Sequence, residues 1–212
     1  MPTADSHRRS EPRRTQEQRS ADMRLRLLDA TIDCLVEYGY SGTTTLRVAR
    51  RAGVSRGAQL HHFQSKTELV ISAIHHLAAK RAEAVIRGMG TVDSTDDPVG
   101  RILELLWDVH QGPLFIATVE LWVAGRSDPA LGQELAKFEP VVSSNLLSAL
   151  AQGFPGREPG RELVSFIYTA MDTIRGILLS NFVERDLLRA RRQWDRAVPM
   201  LHSIGLTAMQ SV

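Results

Sequence analysis

Residues 44–63 read TTLRVARRAGVSRGAQLHHF. Two short runs with helical spacing flank Ala52-Gly53-Val54-Ser55. The spacing predicts a first helix over about 45–52, with hydroxyls of Thr43, Thr44 and Thr45 available to cap it. Its inward face is expected to be Leu46 and Val48–Ala49. Gly53 stops it where a tight backbone is needed, because glycine carries no Cβ penalty at positive φ. Ser55 caps a second helix over about 56–62, and Phe63 turns toward a core. Two helices of about eight residues joined by such a turn form a helix-turn-helix. The second helix of that unit lies in the major groove of DNA, while the helix before it crosses the phosphate backbone.

Working outward, Thr15 and Gln18 have the spacing of a capping box. Leu25, Leu28, Ile32 and Leu35 then form an apolar stripe with Val36 beside it, and Gly39 and Gly42 end that helix. On the other side Ser65 caps a fourth helix, with Glu68 at the capping-box position. Leu69, Val70, Ala73, Ile74 and Leu77 carry it toward Arg87. Gly88, Gly90 and the polar stretch 91–97 break it. Helices are expected over 98–111, 113–125 and 129–152, followed by a Gly- and Pro-rich loop over 153–160. A long helix over 161–185 is apolar on two faces, so it must be buried on two sides. The last, over 187–209, contains Pro199, which should kink it. Strand signals are nearly absent. The chain therefore reads as all-α: a three-helix head plus a C-terminal bundle of about five to six helices. The expected divisions are a disordered basic arm (1–14), the head (15–66) and the bundle (67–212).

The chain has 212 residues, 43% of them hydrophobic and 24% charged, an ordinary globular balance. Its one cysteine, Cys34, rules out a disulfide within the chain and sits beside an apolar stripe, so burial is expected. No signal-peptide pattern and no uninterrupted apolar run of membrane-spanning length stands out, so a cytoplasmic protein off the membrane is expected. The net charge of +2 hides an asymmetry: residues 1–66 carry 12 Lys+Arg against 7 Asp+Glu. No acidic residue lies between Glu37 and Glu68, while Arg47, Arg50, Arg51, Arg56 and Lys66 fall in that gap. Such a stretch suits a polyanionic partner; a solvated basic face gives the same composition.

With these residues in view, the chain resembles the tetracycline-repressor (TetR) family. The resemblance covers 27–70 and rests on V-S-R-G-A, H-H-F and S-K-x-E-L in that order. It implies a sequence-specific DNA-binding transcriptional regulator, with the head as the DNA-binding domain and 67–212 as the ligand-binding and dimerisation domain. The family pattern is a repressor released from a palindromic operator by a small-molecule effector. The alternatives are an activator, or a regulator controlled by a partner protein. The implied DNA contacts fall on Thr44, Thr45, Arg47, Ser55, Arg56, Gly57, Leu60, His61, His62 and Lys66. Among them Thr45 and Arg47 would hold phosphates, Arg56 would read guanine, and His62 and Lys66 would meet the backbone. Many members carry Leu-Tyr where this chain has Gln59-Leu60. The phosphate-binding tyrosine hydroxyl is therefore missing; Leu60 is left to touch a thymine methyl, and Gln59 to point inward. The arm at Arg8–Arg14 either follows a groove or is a plain tail.

An effector pocket is expected among Trp107, His110, Phe115, Glu120, Trp122, Phe138, Tyr168, Met171, Asp172 and Arg175, each of which also serves as an ordinary core residue. The resemblance implies a homodimer through the last two helices, with Ile174, Ile177, Leu178, Phe182, Trp194 and Leu201 as candidates. No cofactor and no metal are expected, since adjacent histidines on a helix point about 100° apart and cannot easily share an ion. No catalytic motif stands out, so an enzyme is not expected.

Overall fold

The computed structural model describes residues 15–89, 96–151, 160–184 and 186–210. The arm 1–14 and the loop 152–159 lie outside the described residues, as do most of the breaker after the fourth helix and the side chain of Phe138. Among the described residues there is no strand, and the all-α expectation holds. The elements are α1 (Gln16–Gly42), α2 (Thr45–Ala52), α3 (Arg56–His62), α4 (Lys66–Met89) and α5 (Pro98–Val109). They continue as α6 (Pro113–Gly125), α7 (Pro129–Ala151), α8 (Arg161–Ser180) and α9 (Leu187–Met209).

Helix starts follow their caps. Thr15 and Gln18 form the capping box of α1, its orphan amides satisfied reciprocally. The hydroxyls of Thr44, Ser55 and Ser65 accept from Arg47 N, Ala58 N and Glu68 N at 3.2, 3.2 and 3.0 Å. Asp97 caps α5 by accepting from Gly100 N at 2.9 Å. Gly53, at φ 66° and ψ 37°, supplies the left-handed cap of α2. The helix α9 runs on past Pro199, which lies inside it.

Two apolar cores result. The first gathers Leu27, Cys34 and Leu35 of α1, Val48 and Ala52 of α2, Phe63, and Leu69, Val70 and Ile74 of α4. Ala117 and Leu121 of α6 and Leu131 and Leu135 of α7 join the same cluster, so the head is welded to the body through its own core. The second core is built by α5, α8 and α9, with Phe115 and Val119 of α6. Cys34 is fully buried, and that burial pushes its thiol pKa up. Leu25 and Leu46 are exposed, against expectation. The inward face of α2 is Val48, Ala49 and Ala52, and a turn of about 100° per residue leaves Leu46 off it.

By length and composition α8 is long and apolar enough to cross a membrane, although charged residues interrupt its apolar run. Its buried residues, Leu163, Phe166, Ile167, Ala170, Met171, Ile174 and Leu178, pack into the second core.

Candidate nucleic-acid interface

The turn between α2 and α3 is closed by Val54 N donating to Ala49 O at 3.0 Å. The two helices present their polar residues outward together. Thr44, Arg47, Arg50, Ser55, Arg56, Gly57, Leu60 and His61 are exposed, while Thr45, His62 and Lys66 are half-buried. Gln59 faces inward and is fully buried, its Nε2 donating to Phe63 O at 2.8 Å.

The cations differ in how free they are. Arg47 stacks on the Tyr38 ring, 4.2 Å from its centroid, and donates to Gly42 O. Arg51 lies over the same ring at 5.8 Å, pairs with Glu37 and sits 3.8 Å from Asp33. The Tyr38 hydroxyl and then Arg51 hold the Glu37 carboxyl below its ordinary value. These two of the five cations in the acid-free stretch thus lean back on α1, and Lys66 makes a third. Arg50 and Arg56 form no ion pair among the described residues. Tyr38 was missed from sequence, and Arg50 was counted in the cationic stretch but not among the implied DNA contacts. The signal for Tyr38 was an aromatic residue just ahead of a cationic run, and only the fold reveals that the run bends back over it.

The ammonium of Lys66 does not face outward. Its Nζ donates to Tyr40 O at 2.5 Å and lies 3.7 Å from the Tyr40 ring centroid. Burial lowers its pKa, and Asp128 works the other way. His62 touches His61 edge-on, with ring centroids 5.5 Å apart, and burial, then His61 and Arg24, push its pKa down. It is therefore held toward its neutral, uncharged form.

Glu120 was expected among pocket residues, yet its carboxylate faces the head. Tyr40 N donates to Glu120 Oε2 at 3.3 Å, just after the break in α1 at Gly39. Tyr40 near the end of α1 is thus held on two sides: its N–H by α6 of the body, and its carbonyl by the first turn of α4.

The other pocket candidates separate. Trp107 stacks on Trp194, centroids 5.7 Å apart and planes 14° off parallel, and both are core residues. His110 is buried with Nδ1 2.7 Å from Leu106 O. Phe115 meets Phe182 edge-to-face, and Met171 is buried. Arg175 pairs with Asp172 at 3.4 Å and lies 6.0 Å from the Trp122 ring centroid, partly open to solvent. Tyr168 points outward.

The six interface candidates lie on or beside the second core. Ile174, Leu178, Trp194 and Leu201 are buried inside the chain's own core, and Ile177 and Phe182 are packed against it. The four buried ones have little surface left for a partner, while Ile177 and Phe182 stay partly open. Periodicity reveals two apolar stripes on α8 but not which one the chain itself covers. The outward apolar residues are instead Tyr168, Leu179 and Val183 at the α8 side, and Leu187, Leu188, Met200 and Ile204 on α9.

Known proteins agree with this architecture. The model for "Bacterial regulatory proteins, tetR family" matches residues 27–73. An uncharacterized HTH-type transcriptional regulator of Mycobacterium bovis is 27% identical over 203 residues, spanning 92% of this chain and 98% of that one. The HTH-type transcriptional regulator BetI of Cronobacter sakazakii is 31% identical over 144 residues, spanning 66% of this chain and 68% of that protein. The crystal structure of the multidrug binding protein EbrR complexed with ethidium shares the fold, with a TM-score of 0.57 and 21% identity. That match covers 84% of this chain and 97% of the other. A helix-turn-helix built on the head's core, with Arg50 and Arg56 outward, fits what these relatives are. The chain is a helix-turn-helix transcriptional regulator and belongs to the tetR family of bacterial regulatory proteins.

Proposed function

We propose that the protein is a cytoplasmic, homodimeric repressor that a small-molecule effector releases from a palindromic operator. The observation that carries this reading is the two-sided hold on Tyr40: Glu120 of α6 on its N–H and Lys66 of α4 on its carbonyl. A ligand that shifts α6 moves the end of α1, and α2 hangs from that end through the bond from Arg47 to Gly42 O. An effector can alter operator affinity only by its different affinity for the two arrangements. The half-exposed Trp122 beside Arg175 is the proposed point of entry, and EbrR, with the same fold, holds ethidium. Thr44, Thr45, Ser55, Arg50 and Arg56 meet the operator.

The dimer is proposed through the outward stripe Tyr168, Gly176, Leu179 and Val183 together with Met200 and Ile204 of α9. Val183 is 92% exposed, and a Cβ on Gly176 would meet nothing within 4 Å, which leaves room for a partner helix to approach closely. Converting Leu179 and Met200 to glutamate is expected to halve the particle mass measured by analytical ultracentrifugation. An unchanged mass would place the interface elsewhere.

The function is tested by selecting genomic fragments with the purified full-length protein. A palindromic site is expected, and its footprint should fade as a metabolite extract of the host cells is titrated in. A footprint indifferent to the extract would sink effector release and favour control by a partner protein. On the selected operator, Arg56→Ala should weaken binding by about 1–3 kcal/mol, roughly 5- to 150-fold, and relax preference at one base pair. Arg47→Ala, already leaning on Tyr38, should weaken binding evenly across sequences.

A further inference from the structure

We propose that the N-terminal half of α9 carries a binding site for a small molecule with linked phosphate groups, held by Arg189, Arg192 and Arg196 with Gln193 among them. These four residues line an open cleft of about 520 Å3. That volume lies within the range of ordinary small-molecule sites, about 300–1,000 Å3. Spacings of three, four and seven residues gather the four on one side of the helix. None of them belongs to the DNA-binding surface or to the proposed effector entry at Trp122.

The charge on this face is not balanced from within the chain. Three acids lie nearby in sequence, and each is already engaged. Glu184 pairs with Arg189 at 2.9 Å, Asp186 caps α9 by accepting from Arg189 N at 2.9 Å, and Asp195 pairs with Arg191 at 2.7 Å. Arg192 and Arg196 are exposed and form no ion pair among the described residues. Like charges four residues apart destabilise a helix. An anion seated between the two guanidiniums turns that repulsion into attraction.

Gln193 adds donors to the cleft, and the fold decides which way its amide points. Asn181 is 4% exposed, and its Nδ2 donates to Ile177 O at 2.8 Å. A backbone carbonyl can only accept, so this bond fixes the orientation of the Asn181 amide. The same Nδ2 donates to Gln193 Oε1 at 2.7 Å. Gln193 is therefore held by its oxygen, and its Nε2 donors are left to the cleft. Guanidiniums and an amide nitrogen together offer N–H groups, which selects a ligand rich in acceptor oxygens and negative charge. From Arg189 to Arg196 the helix rises about 10 Å. One carboxylate occupies one guanidinium fork, whereas linked phosphates set charged oxygens along such a length, and the planar fork of arginine fits each of them.

The test titrates inorganic triphosphate into the full-length protein by calorimetry at physiological ionic strength, where diffuse surface attraction is screened. Saturable binding of one triphosphate per chain is expected, about ten-fold or more tighter than orthophosphate. Arg192→Gln should weaken it about ten-fold, the loss of one charge-assisted contact. Gln193→Glu keeps an acceptor for Asn181 but turns a carboxylate oxygen to the cleft, so binding should vanish while the fold stands. Triphosphate should raise the melting temperature of the parent protein and leave that of Gln193→Glu unchanged. Adenosine triphosphate is titrated alongside: affinity no tighter than triphosphate assigns recognition to the phosphate chain alone, and tighter affinity adds the nucleoside. No saturable binding, equal affinity for orthophosphate, or binding that survives intact in both variants would overturn the proposal. So would an Arg192→Gln protein whose particle mass differs from the parent's without any anion, because the arginines would then be contacts between copies of the chain.

Discussion

Phe63→Ala is expected to lower stability by about 3–5 kcal/mol and to abolish specific operator binding, because it empties the middle of the head's core. Phe63 is fully buried, and its cluster draws on α1, α2 and α4 at once. Its backbone also ends α3: Phe63 N donates to Gln59 O at 2.9 Å, and Phe63 O accepts from Gln59 Nε2 at 2.8 Å. The Arg24 guanidinium covers the ring at 4.5 Å from its centroid. Truncation to a methyl removes the packing that fixes the angle between α3 and α2. A loss of this size removes a large share of an ordinary domain's margin of about 5–15 kcal/mol. Thermal unfolding and operator binding check it together. Leu60→Ala, on the same helix but outward, should leave the melting temperature within experimental error. Phe63→Ala melting like the parent protein would mean that the head's core is not centred on this ring.

How much of this was legible beforehand depends on the kind of signal. The helix-turn-helix was readable because local chemistry decides it: Thr44, Gly53 and Ser55 mark helix ends through hydrogen bonds and φ values that involve only their neighbours. The inward turn of Gln59 was also foreseeable, since an amphipathic seven-residue helix has only one inner face. Roles set by distant elements were not readable. Glu120 sits 80 residues from Tyr40 in sequence, and nothing about a glutamate in an apolar helix says that it will meet a backbone N–H at the end of α1. Lys66 is a second case: a lysine at a helix start suggests phosphate, and nothing local says that the fold also offers it the carbonyl and ring of Tyr40. Ile174 and Leu178 were apolar on a helix with two apolar sides, and periodicity alone cannot separate a chain's own core from a partner's surface.

Gly39→Ala is expected to be the most damaging glycine substitution in the head, at about 2–5 kcal/mol, and comparison with Gly53 shows why. Both have φ 66°, but ψ is 179° at Gly39 and 37° at Gly53. The second pair is the left-handed helical region, which other residues enter at a cost of about 1 kcal/mol. The first is essentially reserved for glycine, with strain of about 1–3 kcal/mol for anything else. Space differs too. A Cβ at Gly53 would meet nothing within 4 Å, whereas one at Gly39 would lie 2.6 Å from Glu120 Oε2. The carboxylate is the free end of a flexible chain and can swing aside. In doing so it releases Tyr40 N–H, and a hydrogen bond to a charged group contributes about 1.5–3 kcal/mol. Gly39 O also accepts from Thr43 N at 3.1 Å and Thr43 Oγ1 at 2.7 Å, so relaxation at Gly39 reaches the residue just before the α2 cap. Operator affinity should therefore fall along with the melting temperature, which drops by roughly 2–4 °C per kcal/mol in a chain of this size. A double-mutant cycle isolates the cause. Once Glu120→Ala has removed the carboxylate, adding Gly39→Ala should cost only the backbone strain, so the two losses sum to more than the double variant shows. Strict additivity would mean that Glu120 does not hold the end of α1, and the proposed route from the body to the DNA-binding head would fall with it.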